Sequence, residues 1–135
     1  MIDPDHSTTS WFLWIVGVAF LLGSAVPLFL VPLKWGRAFG WRLPTEQAFT
    51  VYLGRCLGGV ALVLSAATFR AAPDPESHLE SLEILLGSAA ALLLVHVWGA
   101  LRREQPWQEN VELLMYATIV GYGGYLYAGL PGALL

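Results

Sequence analysis

The sequence predicts an all-α integral membrane protein, a four-transmembrane-helix up-down bundle, and three observations carry that prediction. Of the 135 residues 56% are hydrophobic and only 13% charged, with a mean hydropathy of +0.60, whereas a soluble domain carries about 25% charged residues. The apolar residues stand in long blocks, at 11–33, 48–69, 79–101 and 107–130, rather than in amphipathic stripes. Helices of that length measure roughly 33–36 Å and cross a hydrocarbon core about 30 Å thick. The third observation is where the cations fall. Lys34, Arg37 and Arg42 follow the first block, Arg102 and Arg103 follow the third, and Arg70 alone follows the second.

The leader, residues 1–10, reads "MIDPDHSTTS", with two acids and no Lys or Arg. A signal peptide needs a positive leader and a shorter apolar core, so block 11–33 is expected to be a retained helix. It contains Pro27 and Pro32. Neighbouring helices can re-satisfy the carbonyl freed by Pro27, which predicts a kink there rather than a break. Residues 34–47 form the first connection, and Pro44 precedes the second helix, 48–69. The second connection, 70–78, is acidic and Pro-rich. Ser77 with Glu80 reads as a capping box opening the third helix, 79–101. The third connection is 102–106, with Pro106 at a helix-opening position before the fourth helix, 107–130, and the tail 131–135.

The positive-inside rule places the first and third connections in the cytoplasm and both termini outside, as for a multi-pass protein of the bacterial inner membrane. Trp35, Trp41, Trp98 and Trp107 fall near the inner ends and Trp11 near the outer one, where interfacial indoles belong. "WGRAFGWRLPTE" and "WGALRREQPWQE" echo each other after the first and third helices. The echo reflects either two duplicated helical hairpins or inner connections of similar composition.

Gly54, Gly58, Ala61 and Ser65 share one face of the second helix, with Gly54 and Gly58 forming a GxxxG pair. Gly87 and Ala91 on the third helix, and Gly121 and Gly124 on the fourth, offer further small faces. In lipid, helices associate through close packing, so these faces either hold the four helices together or dock a second chain.

One cation lies inside an apolar block. Arg55, in "VYLGRCLGGVALVLSAATF", stands about 10 Å inside the inner end of its helix. Counted from the same side, His96 and Glu112 lie about five residues deep, with Glu109 one turn shallower and Tyr116 on the same face. A charge at mid-membrane costs several kcal/mol and usually pairs or faces a cavity. The expected arrangement is therefore an Arg55–Glu112 ion pair with His96 or Tyr116 beside it. Snorkelling of Arg55 to the interface is the competing reading, and a functional proton, ion or ligand site the third. Glu83 lies at the outer end on nearly the opposite face from His96 and is expected to stay apart from the layer.

The charge of −3 and the lack of a basic surface set nucleic-acid binding aside. The single Cys56 forms no internal disulfide and is expected to pack as a small apolar residue. No phosphate loop, HExxH, Cys/His metal spacing or nucleophile with a base is present. No catalytic residue and no metal ligand set is assigned, and no cofactor is identified. The length, the helix count and the Gly54-Arg55-x-x-Gly58 step resemble small bacterial four-helix membrane proteins such as the DoxX-like group. The resemblance implies architecture and carries no function. Three functions are open: an accessory or scaffold subunit that packs through its Gly/Ala faces as a homo-oligomer or within a larger membrane complex; a small-solute, proton or ion carrier using the Arg55/His96/Glu112 layer; and a membrane enzyme or quinone-site protein.

Overall fold

The computed structural model describes residues 1–133, so the last two residues of the expected tail, 134 and 135, lie outside the described residues. The chain is all-helical, with no strand among the described residues. Five helices follow one another: α1 (Ser7–Leu30), α2 (Pro32–Ala38), α3 (Ala48–Ala71), α4 (Glu76–Arg102) and α5 (residues 109–128). Helices α1, α3 and α4 are long and apolar enough to cross a membrane, and only 28%, 22% and 11% of their most apolar stretches are buried inside the protein. The fourth expected block differs from the other three. Its helix, α5, opens on Glu109, Asn110 and Glu112 and carries Gly and Tyr along its second half, which lowers its hydropathy.

The two prolines of the first block do different things. Pro27 has no N–H to give to the carbonyl of Gly23. Just before it the helix widens into a π turn over Leu21–Ala25, in which the Val26 N–H donates to the Leu21 carbonyl. The indole of Trp35 reaches back to donate to the freed Gly23 carbonyl at 2.7 Å. The expected continuous helix over 11–33 is nevertheless interrupted, at Val31 (φ −136°, ψ 52°), because the residue before Pro32 is driven out of the helical region. Pro32 then opens α2, so residues 34–38 of the expected first connection are helical.

Helix α2 stops in a Schellman motif. The Gly40 N–H donates to the Arg37 carbonyl and the Trp41 N–H to the Gly36 carbonyl, each at 3.0 Å. Gly40 sits at φ +80°, in the left-handed region that glycine adopts without strain.

Helix α3 buries Gly54, Gly58, Ser65, Thr68 and Ala71. A Cβ on Gly58 would collide with the Phe29 backbone, and one on Gly54 would meet Pro32 Cβ at 2.5 Å. These small residues therefore set how closely α3 lies on α1. Helix α4 packs mainly on α5 in the same way that α1 packs on α3, and α3 and α5 do not touch. The shared core is built on Leu13, Phe20, Leu82, Leu85, Tyr116 and Ile119.

The connections divide between two ends. His6 Nε2 lies 3.4 Å from Glu76 Oε2, so the N-terminus sits beside the α3–α4 turn. At the other end a Cβ on Gly40 would touch the amide of Gln108, which brings the α2–α3 and α4–α5 connections together. The expected Ser77–Glu80 capping box does not form, since α4 has no side-chain cap of its own. Asp74 does that work instead, accepting the Ser77 N–H at 3.2 Å. The Ser77 hydroxyl and N–H, which favour the ionised carboxylate, hold Asp74 below its ordinary pKa.

Candidate functional site

Where α4 ends and α5 begins, three ionisable side chains meet. Glu109, Glu112 and Tyr116 follow the i, i+3, i+7 spacing that puts them on one face of α5. Two carboxylates in the first turn also suit the positive end of the helix dipole. From α4, His96 turns its Nδ1 to the Leu92 carbonyl one turn back, at 2.8 Å. A carbonyl only accepts, so Nδ1 carries a proton and the other nitrogen is left for the cluster. Nε2 lies 3.3 Å from Glu109 Oε2 and 3.4 Å from Glu112 Oε2. The Tyr116 hydroxyl donates to Glu112 Oε2 at 3.2 Å, and its ring lies 5.0 Å from the His96 ring and 6.0 Å from Phe20 of α1. A fifth group arrives from the far connection, where the indole of Trp41 donates to Glu109 Oε1.

The site is closed. Glu109 is 4% exposed, Glu112 8% and Tyr116 4%. Among the described residues no Lys or Arg pairs with either carboxylate. The two acids and the phenol are therefore largely withdrawn from water, while the His96 imidazole and the Trp41 indole keep partial exposure. A neutral imidazole with its proton on Nδ1 would point the Nε2 lone pair at two carboxylate oxygens, which is repulsive. The contact becomes attractive once a positive charge sits among the three atoms, as a proton or as a metal ion. The donor atoms of His96, Glu109 and Glu112 lie within 4.8 Å of one another. A tetrahedral ion with bonds of about 2.1 Å has ligand-to-ligand edges of about 3.4 Å, close to the two His96–Glu separations. The locked Nδ1–H and the donors on each carboxylate form the kind of outer shell that orients metal ligands.

The expected layer is therefore assembled in part. His96, Glu109, Glu112 and Tyr116 come together, and Arg55 does not. It is exposed beside Phe29, Leu33 and Tyr52, in a groove lined by no residue of α4 or α5, and makes no ion pair with Glu112. The reason is the diagonal placement of α3 and α5: α3 turns its glycines to α1, and no contact joins α3 to α5. Trp41 had no signal in the sequence beyond its interfacial position. Glu83 stays outside the cluster and accepts the Tyr127 hydroxyl at 2.5 Å at the opposite end of the pair α4–α5.

The small faces also divide. Gly54, Gly58 and Ser65 are buried against α1 and Ala61 is half-buried. Gly87, Ala91 and Gly121 are exposed, and Gly124 is half-buried. A Cβ on Gly87, Gly121 or Gly124 would meet nothing within 4 Å. Cys56 lies exposed on the surface of α3 rather than packed inside. No known family model, curated protein or solved structure matches this chain.

Proposed function

We propose that the chain is a four-span inner-membrane bundle with both termini outside, and that its work is to take up a cation from the cytoplasmic side at the His96–Glu109–Glu112 cluster. The membrane reading is supported by the large apolar surfaces of α1, α3 and α4, far beyond the patches a soluble monomer exposes. The carboxylates of α5 are no obstacle to a fourth span, because both are turned into the cluster and away from lipid. Five of the seven Lys and Arg flank the two connections that meet at the cluster's end, and the positive-inside rule supports a cytoplasmic side for that end.

A single observation carries the cation reading: an imidazole nitrogen, its tautomer set by Leu92, faces two buried carboxylates that no Lys or Arg among the described residues neutralises. A buried charge left without a partner costs several kcal/mol, so the cluster takes a proton or a metal ion. The test is uptake into liposomes reconstituted with the protein. A pH-sensitive dye reads protons, and metal analysis of the washed protein reads Zn²⁺, Mn²⁺ or Fe²⁺. Glu112→Gln is expected to abolish uptake while helix content and elution stay unchanged. Uptake equal to that of the native chain, for protons and for metals alike, would overturn the reading.

The accessory-subunit reading stands second, favoured by the open space outside Gly87 and Gly121. It is tested by the particle mass of a Gly87→Leu variant.

A further inference from the structure

Arg55 is expected from the sequence to be neutralised from within, and no carboxylate among the described residues does so. Among the described residues it has neither an ion pair nor a hydrogen bond, and it stands exposed. It lines a shallow groove of about 670 Å³ between the α1–α2 break and the first two turns of α3. The walls are apolar, from Phe29, Leu33, Val51 and Cys56, and Tyr52 stands about one turn nearer the N-terminus of α3 than the cation. The groove lies at the break at Val31: Phe29, before it, and Leu33, after it, line the groove together with Val51, Tyr52 and Arg55 of α3.

Depth and direction decide what this cation meets. Helix α3 is 24 residues long, about 36 Å, so it overhangs a 30 Å hydrocarbon core by roughly 3 Å at each end. The Arg55 Cα then lies roughly 7 Å below the boundary. Side chains on a helix lean toward its N-terminus, which for α3 is the cytoplasmic end. The guanidinium is thus carried up along the groove to the level of glycerol and phosphate. Lys34 and Arg37, exposed on α2, stand at the same end.

We propose that this groove holds one anionic phospholipid of the inner leaflet, its phosphate on Arg55 and one acyl chain against Phe29, Leu33 and Val51. The charge complementarity is direct, since a cation without a protein partner faces the leaflet that carries the negative headgroups. The proposal rests on the four-span reading given above and on its cytoplasmic orientation. It does not depend on the cation cluster, none of whose residues lines the groove.

Incorporation into nanodiscs of phosphatidylcholine, with and without phosphatidylglycerol, tests it. After extraction in mild detergent, mass spectrometry counts the lipids that stay with the protein. Native protein is expected to retain phosphatidylglycerol over phosphatidylcholine by about fivefold, the equivalent of about 1 kcal/mol for one cation at the headgroup level. Arg55→Gln should remove that preference and Arg55→Lys should keep most of it. Equal retention of the two lipids by native protein, or a preference that survives Arg55→Gln, would overturn the proposal. Failure to enter nanodiscs of either composition would overturn it together with the membrane reading. Uptake of cations that fails while lipid selectivity persists would remove the cluster's function and leave this site standing.

Discussion

Gly40 determines whether the cluster has its fifth member. Its left-handed backbone lets the chain turn after α2 and lay the Trp41 indole on Glu109. Gly40→Ala would place a methyl group 2.8 Å from Gln108 Oε1 in a backbone conformation that costs an L-residue about 1–2 kcal/mol. The thermal midpoint in detergent should fall accordingly, with helix content unchanged at low temperature. A midpoint equal to that of the native protein would contradict this role. Four members of the layer were legible from depth and helix face together: His96 and Glu112 count to one level, Glu109 lies one turn shallower, and the i, i+3, i+7 spacing puts Tyr116 on the same face as the two acids. Arg55 was misplaced for a related reason. Depth is a one-dimensional coordinate, and it does not say which helix stands beside which. Only the packing of Gly54 and Gly58 on α1 settles that Arg55 faces away from Glu112.

At the scale of the helix, the pair formed by Pro27 and Trp35 keeps α1 continuous. The Gly23 carbonyl has lost its i+4 donor, and the indole eight residues beyond Pro27 replaces it. Trp35→Phe keeps the stacking on Phe39 but removes the donor. An unmade bond of this kind costs about 1–3 kcal/mol. The loss of stability should be larger in a lipid nanodisc, where nothing else can donate, than in a detergent micelle that admits water. Equal stability of the variant and the native chain in nanodiscs would show that the carbonyl finds another donor. The two prolines were visible in the sequence, but their division of labour was not. Both free a carbonyl four residues back, and the outcome turns on a tryptophan that the sequence marks only as interfacial. The start of α4 makes the same point: Ser77 and Glu80 have the spacing of a capping box, yet Asp74 is nearer and takes the Ser77 N–H first.

For the molecule as a whole, composition and block length were enough to establish an all-helical chain with long apolar helices. Blocks this rich in apolar residues have few alternatives. The weaker apolarity of α5 was obscured because its two acids were counted as part of a span, whereas they are the inward-turned start of a site. Small residues likewise have two uses that spacing does not separate. Those on α3 are spent on α1, and Gly87, Ala91 and Gly121 remain on the outside. If the outer set docks another chain, Gly87→Leu should reduce the particle in nanodiscs to a monomer without disturbing the fold, since the added side chain meets only open space. A particle of unchanged mass would remove the accessory reading.

The bond between Trp41 and Glu109 spans 68 residues of chain. In a nascent polypeptide the indole is therefore made early and waits through the synthesis of two further helices before its acceptor leaves the ribosome. A product halted after the third long helix would expose an imidazole held only by its own backbone and an indole with nothing to hold. Completion of the cluster thus waits on the first two turns of α5, and a chain truncated before them is chemically distinguishable from a longer one at that end of the molecule.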